Sequence, residues 1–245
     1  ATVIILIIMQ IIKSILISFL IIFLLFPVLR FMLVRIIPIQ RRRFHLTTDE
    51  MEEFRKLEWI LILLHAVFAT ILAVVITSIL TVSTSMKYYA PEKYLYILTP
   101  SFLVFLIPGI MLGLSLGVVP LLLLQRTVLQ ERYLLFNEYI DQAYGFDIRK
   151  FYYTVLTVTV FISSFLIYTN MRRYVLFGDT KIVVKEYLQK EKEYTYADVR
   201  ELRQKSDDYY IELNDGNTIS TKYLQPQSFE MIAYLAQKTG LHLKK

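Results

Sequence analysis

Cysteine is absent from the 245 residues. That excludes disulfides, thiolate metal sites and cysteine nucleophiles. Histidine occurs three times, at His45, His65 and His242. These are far apart and form no HExxH or other close-spaced ligand set, so no metal is expected. Glycine and proline are scarce, with seven of each. No P-loop, dinucleotide-binding glycine pattern or GxSxG elbow is present, so no cofactor and no catalytic residue is expected. Charged residues make up only 20% of the chain, and long stretches have none. Beyond Glu58, at the start of one apolar segment, those stretches contain no Asp or Glu. Proton- and sodium-coupled transporters generally use such acids.

What is abundant is apolar sequence. Hydrophobic residues are 56% of the chain, above the usual ~45–50% of soluble proteins. A transmembrane helix needs about 20 mostly apolar residues, and four segments qualify: 1–38, 57–82, 101–124 and 151–168. The first does not follow the short plan of a signal peptide. It exceeds one crossing, and Pro27 divides it. If residues 2–26 span, Lys13 falls in the middle of the membrane; if the span slides toward 14–36, Lys13 reaches one edge. Arg30 and Arg35 then meet lipid headgroups, as do Arg41, Arg42 and Arg43 in the densest basic run. The net charge of +6 belongs with those headgroups and with topology, not with nucleic acid.

Three of the seven glycines recur every fourth residue in PGIMLGLSLGVVP, at Gly109, Gly113 and Gly117. In lipid such a row lets helix backbones approach closely. The matching face in the preceding segment is the i, i+4 row His65, Ala69, Ala73 and Thr77, narrow and slightly polar. His65 and, in the 2–26 register, Lys13 are the candidate ionisable side chains within the membrane. Thr47 with Glu50 fits a capping box and starts the helix that leads into residues 57–82. The acidic cluster 49–53 reads as a solvated helix start. Residues 126–145 read as an amphipathic connector.

Basic residues bordering the first and third spans number eleven, seven in residues 30–56 and four in residues 126–150, against four on the opposite side, Lys87, Lys93, Arg172 and Arg173. The positive-inside rule places the former in the cytoplasm and the C-terminal part outside.

From residue 171 the pattern changes. Residues 171–245 hold 13 of the 27 Lys/Arg and 11 of the 21 Asp/Glu. RYVLFGDTKIVVKEY reads as a hairpin turning at Gly178-Asp179, and YYIELNDGNTIST as a second one at Asn214-Asp215-Gly216. KEYTYADVRELRQ adds a strand pair, for six strands in all. SFEMIAYLAQKTG is a closing amphipathic helix with Phe229, Ile232, Ala233, Leu235 and Ala236 on its apolar face and Gly240 as its stop.

The segments GDTKIVV, YTYADVREL and YYIELNDGNTIS before a closing helix resemble the pleckstrin-homology-like (PH-like) domains at the C-terminus of bacterial membrane proteins, including YcxB-like proteins. The resemblance implies an interaction domain without chemistry of its own, usually facing the cytoplasm, contrary to the charge count.

The expected architecture is a membrane bundle of four transmembrane helices (1–170) followed by a small β-rich PH-like domain closed by one helix (171–245). The expected function is that of a non-enzymatic membrane interaction protein or accessory subunit in the bacterial cytoplasmic membrane. Its partners would be the lipid bilayer and another membrane protein or a second copy. The alternatives are a channel or transporter subunit with a glycine-lined helix and, through the resemblance, a bacteriocin-immunity-type protein.

Overall fold

The computed structural model describes residues 46–144, 148–205 and 208–244. The first apolar segment, with Lys13, Arg30, Arg35, Arg41, Arg42 and Arg43, lies outside the described residues. The chain divides into two compact units, Ala1–Thr77 with Leu106–Ser164, and Ser78–Phe105 with Phe165–Lys245.

Helix α1 (Thr48–Tyr88) is 41 residues long. It starts at the expected capping box: Thr47 donates through its N–H (2.9 Å) and its hydroxyl (2.8 Å) to the Glu50 carboxylate, and the Glu50 N–H returns to the Thr47 hydroxyl at 3.4 Å. Asp49 and Glu50 in the first turn and Lys87 in the last complement the helix dipole. Helices α2 (Phe102–Leu116) and α3 (Val118–Leu129) are separated at Gly117. Pro120 has no N–H to offer the Leu116 carbonyl, which explains a break at that place. Gln130, with φ 45°, ends α3. A single turn of 3₁₀ helix (Gln130–Arg132) leads into α4 (Tyr133–Tyr144), and α5 (Ile148–Asn170) follows.

These helices correct the expected four-helix membrane architecture. Three helices, not four, are long and apolar enough to cross a membrane among the described residues: Thr48–Tyr88, the broken helix Phe102–Tyr144, and Lys150–Asn170. The last turns of α5, from Phe165, belong to the β-rich unit. Of the stretch read as an amphipathic connector, residues 126–129 end α3, and residues 130–144 form the 3₁₀ turn and α4.

Among the described residues the β-rich unit holds nine strands, against the six expected. Strands β1 (Tyr96–Pro100), β2 (Tyr174–Phe177), β3 (Lys181–Lys185), β4 (Lys192–Thr195) and β8 (Leu224–Gln225) form one sheet in the order β4-β3-β2-β1-β8. Strands β5 (Val199–Lys205), β6 (Asp208–Leu213), β7 (Thr218–Ser220) and β9 (Leu243–Lys244) form the other, in the order β7-β6-β5-β9. Among the described residues only β5 and β9 run parallel. No strand pairing among the described residues joins the two sheets into a closed barrel.

Three of these strands are unexpected: the two-residue β8 and β9 and, far earlier in the chain, β1. It precedes α2, yet it pairs with β2 (Leu98 opposite Val175) and with β8 (Pro100 opposite Leu224). YLYIL directly precedes an apolar helix and reads as its approach, while its pairing partners are remote in sequence.

The main core of this unit lies between the sheets. It includes Leu98, Phe177, Ile182, Leu202, Ile211 and Leu213, and burial contributes about 1.5–3 kcal/mol for each large apolar side chain. Helix α6 (Phe229–Thr239) adds Met231, Ile232 and Leu235 to it. Its buried face is therefore shifted from the expected one, because Phe229 and Ala233 are exposed. Ser228 caps α6 by accepting from the Met231 N–H at 3.1 Å, and Gly240 ends it in the left-handed conformation at φ 69°. Strand β2 is buried on both faces. Val175 and Phe177 enter the main core, while Tyr174 and Leu176 join Val183 in a second cluster with Tyr88, Tyr94 and Ile97.

Candidate functional site: a glycine seam and a buried carboxylate

The structure brings the glycine row of α2 onto the small-residue row of α1. Both rows lie in one unit, and the register runs antiparallel. A Cβ placed on Gly109 would lie 3.0 Å from the Ala73 carbonyl and would strike the Thr77 side chain. On Gly113 it would meet the Ala73 N at 2.8 Å and the Ala73 Cβ at 2.9 Å. On Gly117 it would meet the Ala69 N at 3.0 Å. Any larger residue would therefore have to push the two backbones apart. Ala69, Ala73 and Thr77 are fully buried in this seam. The Thr77 hydroxyl donates to the Ala73 carbonyl of its own helix at 2.7 Å, and Thr70 does the same to Ala66. These bonds satisfy hydroxyl groups that would be costly to leave open in hydrocarbon.

His65 continues the row and is buried. It hydrogen-bonds the backbone of Leu114. The neighbouring Ser115 carbonyl accepts from the Tyr152 hydroxyl at 2.8 Å. Two adjacent residues just before the Gly117 break thus hold side chains from two other helices, α1 and α5.

The second part of the site was not expected. Glu58, at the start of an apolar segment, is only 4% exposed. Its carboxylate accepts from the Tyr144 hydroxyl at 2.6 Å and from the Tyr139 hydroxyl at 3.0 Å. Around it Phe54, Phe136 and Tyr139 pack with ring centroids 5.6–6.0 Å apart, beside Leu61, Leu121 and Ile140. At the cluster's rim Arg132 donates both terminal nitrogens to Glu53, each at 2.8 Å, and its guanidinium lies 5.4 Å from the Phe54 ring centroid. The helical stripe Phe54, Glu58, Leu61, His65 carried the signal, since i, i+4, i+7 and i+11 share one face.

The other acidic residues near Glu58 are held in local structure. Glu50 closes the cap, and Glu52 pairs with Lys56 at 3.0 Å. Among the described residues no three His, Cys, Asp or Glu side chains are grouped as metal ligands would be. What the arrangement does chemically is bind helices to one another: the glycines allow close approach, and the carboxylate gathers two tyrosine hydroxyls in an apolar setting.

Three long apolar helices and a two-sheet unit define an integral membrane protein with a β-rich region. No family model, no curated protein and no solved structure matches the chain.

Proposed function

We propose that this chain is a non-enzymatic interaction protein of a bacterial membrane, an accessory subunit that associates through helix α5 and binds a partner with its β-rich unit. The observation that carries this reading is the state of α5. Only 6% of its most apolar stretch is buried, against 39% and 44% for the other two long helices. Along its uncovered side Thr154, Thr157, Phe161, Ser164 and Tyr168 fall within one stripe at 100° per residue. Small hydroxyl residues on a lipid-exposed stripe support contact with another helix, since such residues are enriched where membrane helices meet. The resemblance of the strand segments to YcxB-like proteins supports the partner-binding role of the β-rich unit.

The glycine row argues against the channel reading. Its small faces are filled by α1 of the same chain, so they line no open path there.

The absence of cysteine makes the test clean. Thr157→Cys and Ser164→Cys, cross-linked in native membranes, should give a discrete adduct, with Ile162→Cys off the stripe as the control. Equal or absent cross-linking at all three positions would leave α5 a lipid-facing helix and sink the proposal. A steady ion flux through reconstituted vesicles, abolished by Gly113→Leu with the protein still assembled, would restore the channel reading.

A further inference from the structure

Two exposed tyrosines of the β-rich unit are held in the left-handed backbone region, which disfavours bulky side chains. Tyr187 has φ 38° and Tyr223 has φ 64°. Each sits in a tight turn. One is closed by Gln189 N–H to the Glu186 carbonyl (2.8 Å), the other by Leu224 N–H to the Thr221 carbonyl (2.9 Å). Both rings remain about half exposed, at 46% and 48%, and Leu188 beside Tyr187 is 63% exposed.

Each tyrosine carries a cation. The Arg173 guanidinium lies 5.3 Å from the Tyr187 ring centroid, and the Lys222 ammonium lies 4.9 Å from that of Tyr223. Arg173 is 94% buried, being 6% exposed. It donates to the carbonyls of Lys222 (3.0 Å) and Ser220 (3.2 Å), and its Nε has no hydrogen-bond partner. No carboxylate pairs with it among the described residues. A nearly buried cation held only by carbonyls and a ring calls for an anion nearby. Arg172 follows the pattern, 4.4 Å from the Tyr168 ring centroid. The acids beside the first turn are Glu186 and Glu191, and Glu191 accepts from the Tyr174 hydroxyl.

These turns stand where the apolar helices enter the β-rich unit. Ser101, at the start of α2, donates its N–H to the Tyr223 carbonyl at 2.8 Å. Arg173 lies three residues past the end of α5, and the Tyr88 hydroxyl at the end of α1 reaches the Met171 carbonyl at 2.8 Å. Exposed aromatic rings next to basic side chains at the ends of membrane helices have the composition of a membrane–water interface, where rings lie among headgroups and cations meet phosphates.

We propose that the turns 186–190 and 221–224, with Arg172, Arg173 and Lys222, form a collar that seats the β-rich unit on the anionic lipid headgroups of the chain's own bilayer. This rests on the membrane reading of the helices. The backbone strain at Tyr187 and Tyr223 holds both rings toward the headgroup layer.

The test uses the full chain in vesicles of phosphatidylcholine and phosphatidylglycerol, with a Trp59→Phe background. Tyr187→Trp and Tyr223→Trp should lose fluorescence to lipids brominated near the headgroup end of the acyl chains. Asp215→Trp, on the Asn214–Gly216 turn, should instead lose it to aqueous iodide. Phe161→Trp on α5 controls for the membrane itself. Bromolipid quenching at 161 but not at 187 or 223 overturns the collar and leaves the membrane reading standing. Its absence at 161 as well overturns both. Arg172→Gln with Lys222→Gln should lower the phosphatidylglycerol retained through purification. Unchanged retention would remove the anionic part of the proposal.

Discussion

The Tyr144 hydroxyl donates to the buried Glu58 carboxylate over 2.6 Å, tying α4 to α1 across more than 80 residues of sequence. A hydrogen bond to a charged group contributes about 1.5–3 kcal/mol, and removing the acceptor leaves a buried donor unsatisfied. Tyr144→Phe should therefore lower the unfolding free energy of the chain in detergent by about 1.5–3 kcal/mol. Glu58→Ala should cost more than either tyrosine change alone, because it leaves both hydroxyls without this acceptor. In the Glu58→Ala background, Tyr144→Phe should have little further effect. A double-mutant cycle on thermal unfolding checks this, and strictly additive losses would show that the two side chains act separately.

Gly113 is the tightest test of the seam, because its neighbours are backbone and the Ala73 Cβ rather than a yielding side-chain end. Gly113→Leu should separate α1 and α2 and lower the unfolding temperature, at a cost of about 1–3 kcal/mol or more for overpacking. Gly113→Ala should do so mildly. Ala73→Gly should recover part of that loss by removing the opposing Cβ. A Gly113→Leu protein of unchanged stability would show that the helices do not meet at this row.

Local chemistry made part of this fold legible. The turn at Gly178-Asp179, the turn at Asn214-Asp215-Gly216 and the Gly240 stop each announce themselves through residues that favour turns or left-handed backbone. The glycine row and its partner row were readable for a similar reason, since small residues at a spacing of four have few uses besides close packing. Strand β1 was hidden because Tyr96–Pro100 is short, directly precedes an apolar helix and finds its partners, Val175 and Leu224 among them, far along the chain. Glu58 was hidden by its charge. An acid at the mouth of an apolar run suggests solvent, and only the stripe it shares with Phe54 and Leu61 indicates burial. The nearly buried, carboxylate-free state of Arg173 depends on three separate segments and left no sequence signal.

The place of β1 also fixes a topological relation that can be measured. Because Leu98 pairs opposite Val175, residues 89–101 and the strands after residue 170 must lie on one side of the membrane. Lys93→Cys and Asp215→Cys should thus be labelled by a membrane-impermeant maleimide from the same side. Asp49→Cys, at the other end of the 41-residue α1, should be labelled from the opposite side. The natural chain contributes no background, having no cysteine. Lys93 and Asp215 labelled from opposite sides would break the five-stranded sheet as described.

Acid should loosen the β4–β5 connection through one identified carboxylate. Asp198 accepts from the Thr195 N–H at 2.7 Å and from its hydroxyl at 2.8 Å, closing a capping box around the intervening 3₁₀ turn. The backbone hydrogen bond, with the side-chain bond second, holds the Asp198 pKa below its ordinary value. A carboxylate with a lowered folded-state pKa stabilises the fold fully above its unfolded pKa, about 3.9 for Asp. That contribution is lost as the pH falls through the lowered value. Hydrogen–deuterium exchange of residues 194–199, corrected for the intrinsic pH dependence, should therefore show protection that drops in this acid range. Asp198→Asn keeps an acceptor oxygen but carries no charge. It should show weaker protection at neutral pH and little change on acidification. Equal pH dependence in the two proteins would place the acid-sensitive group elsewhere.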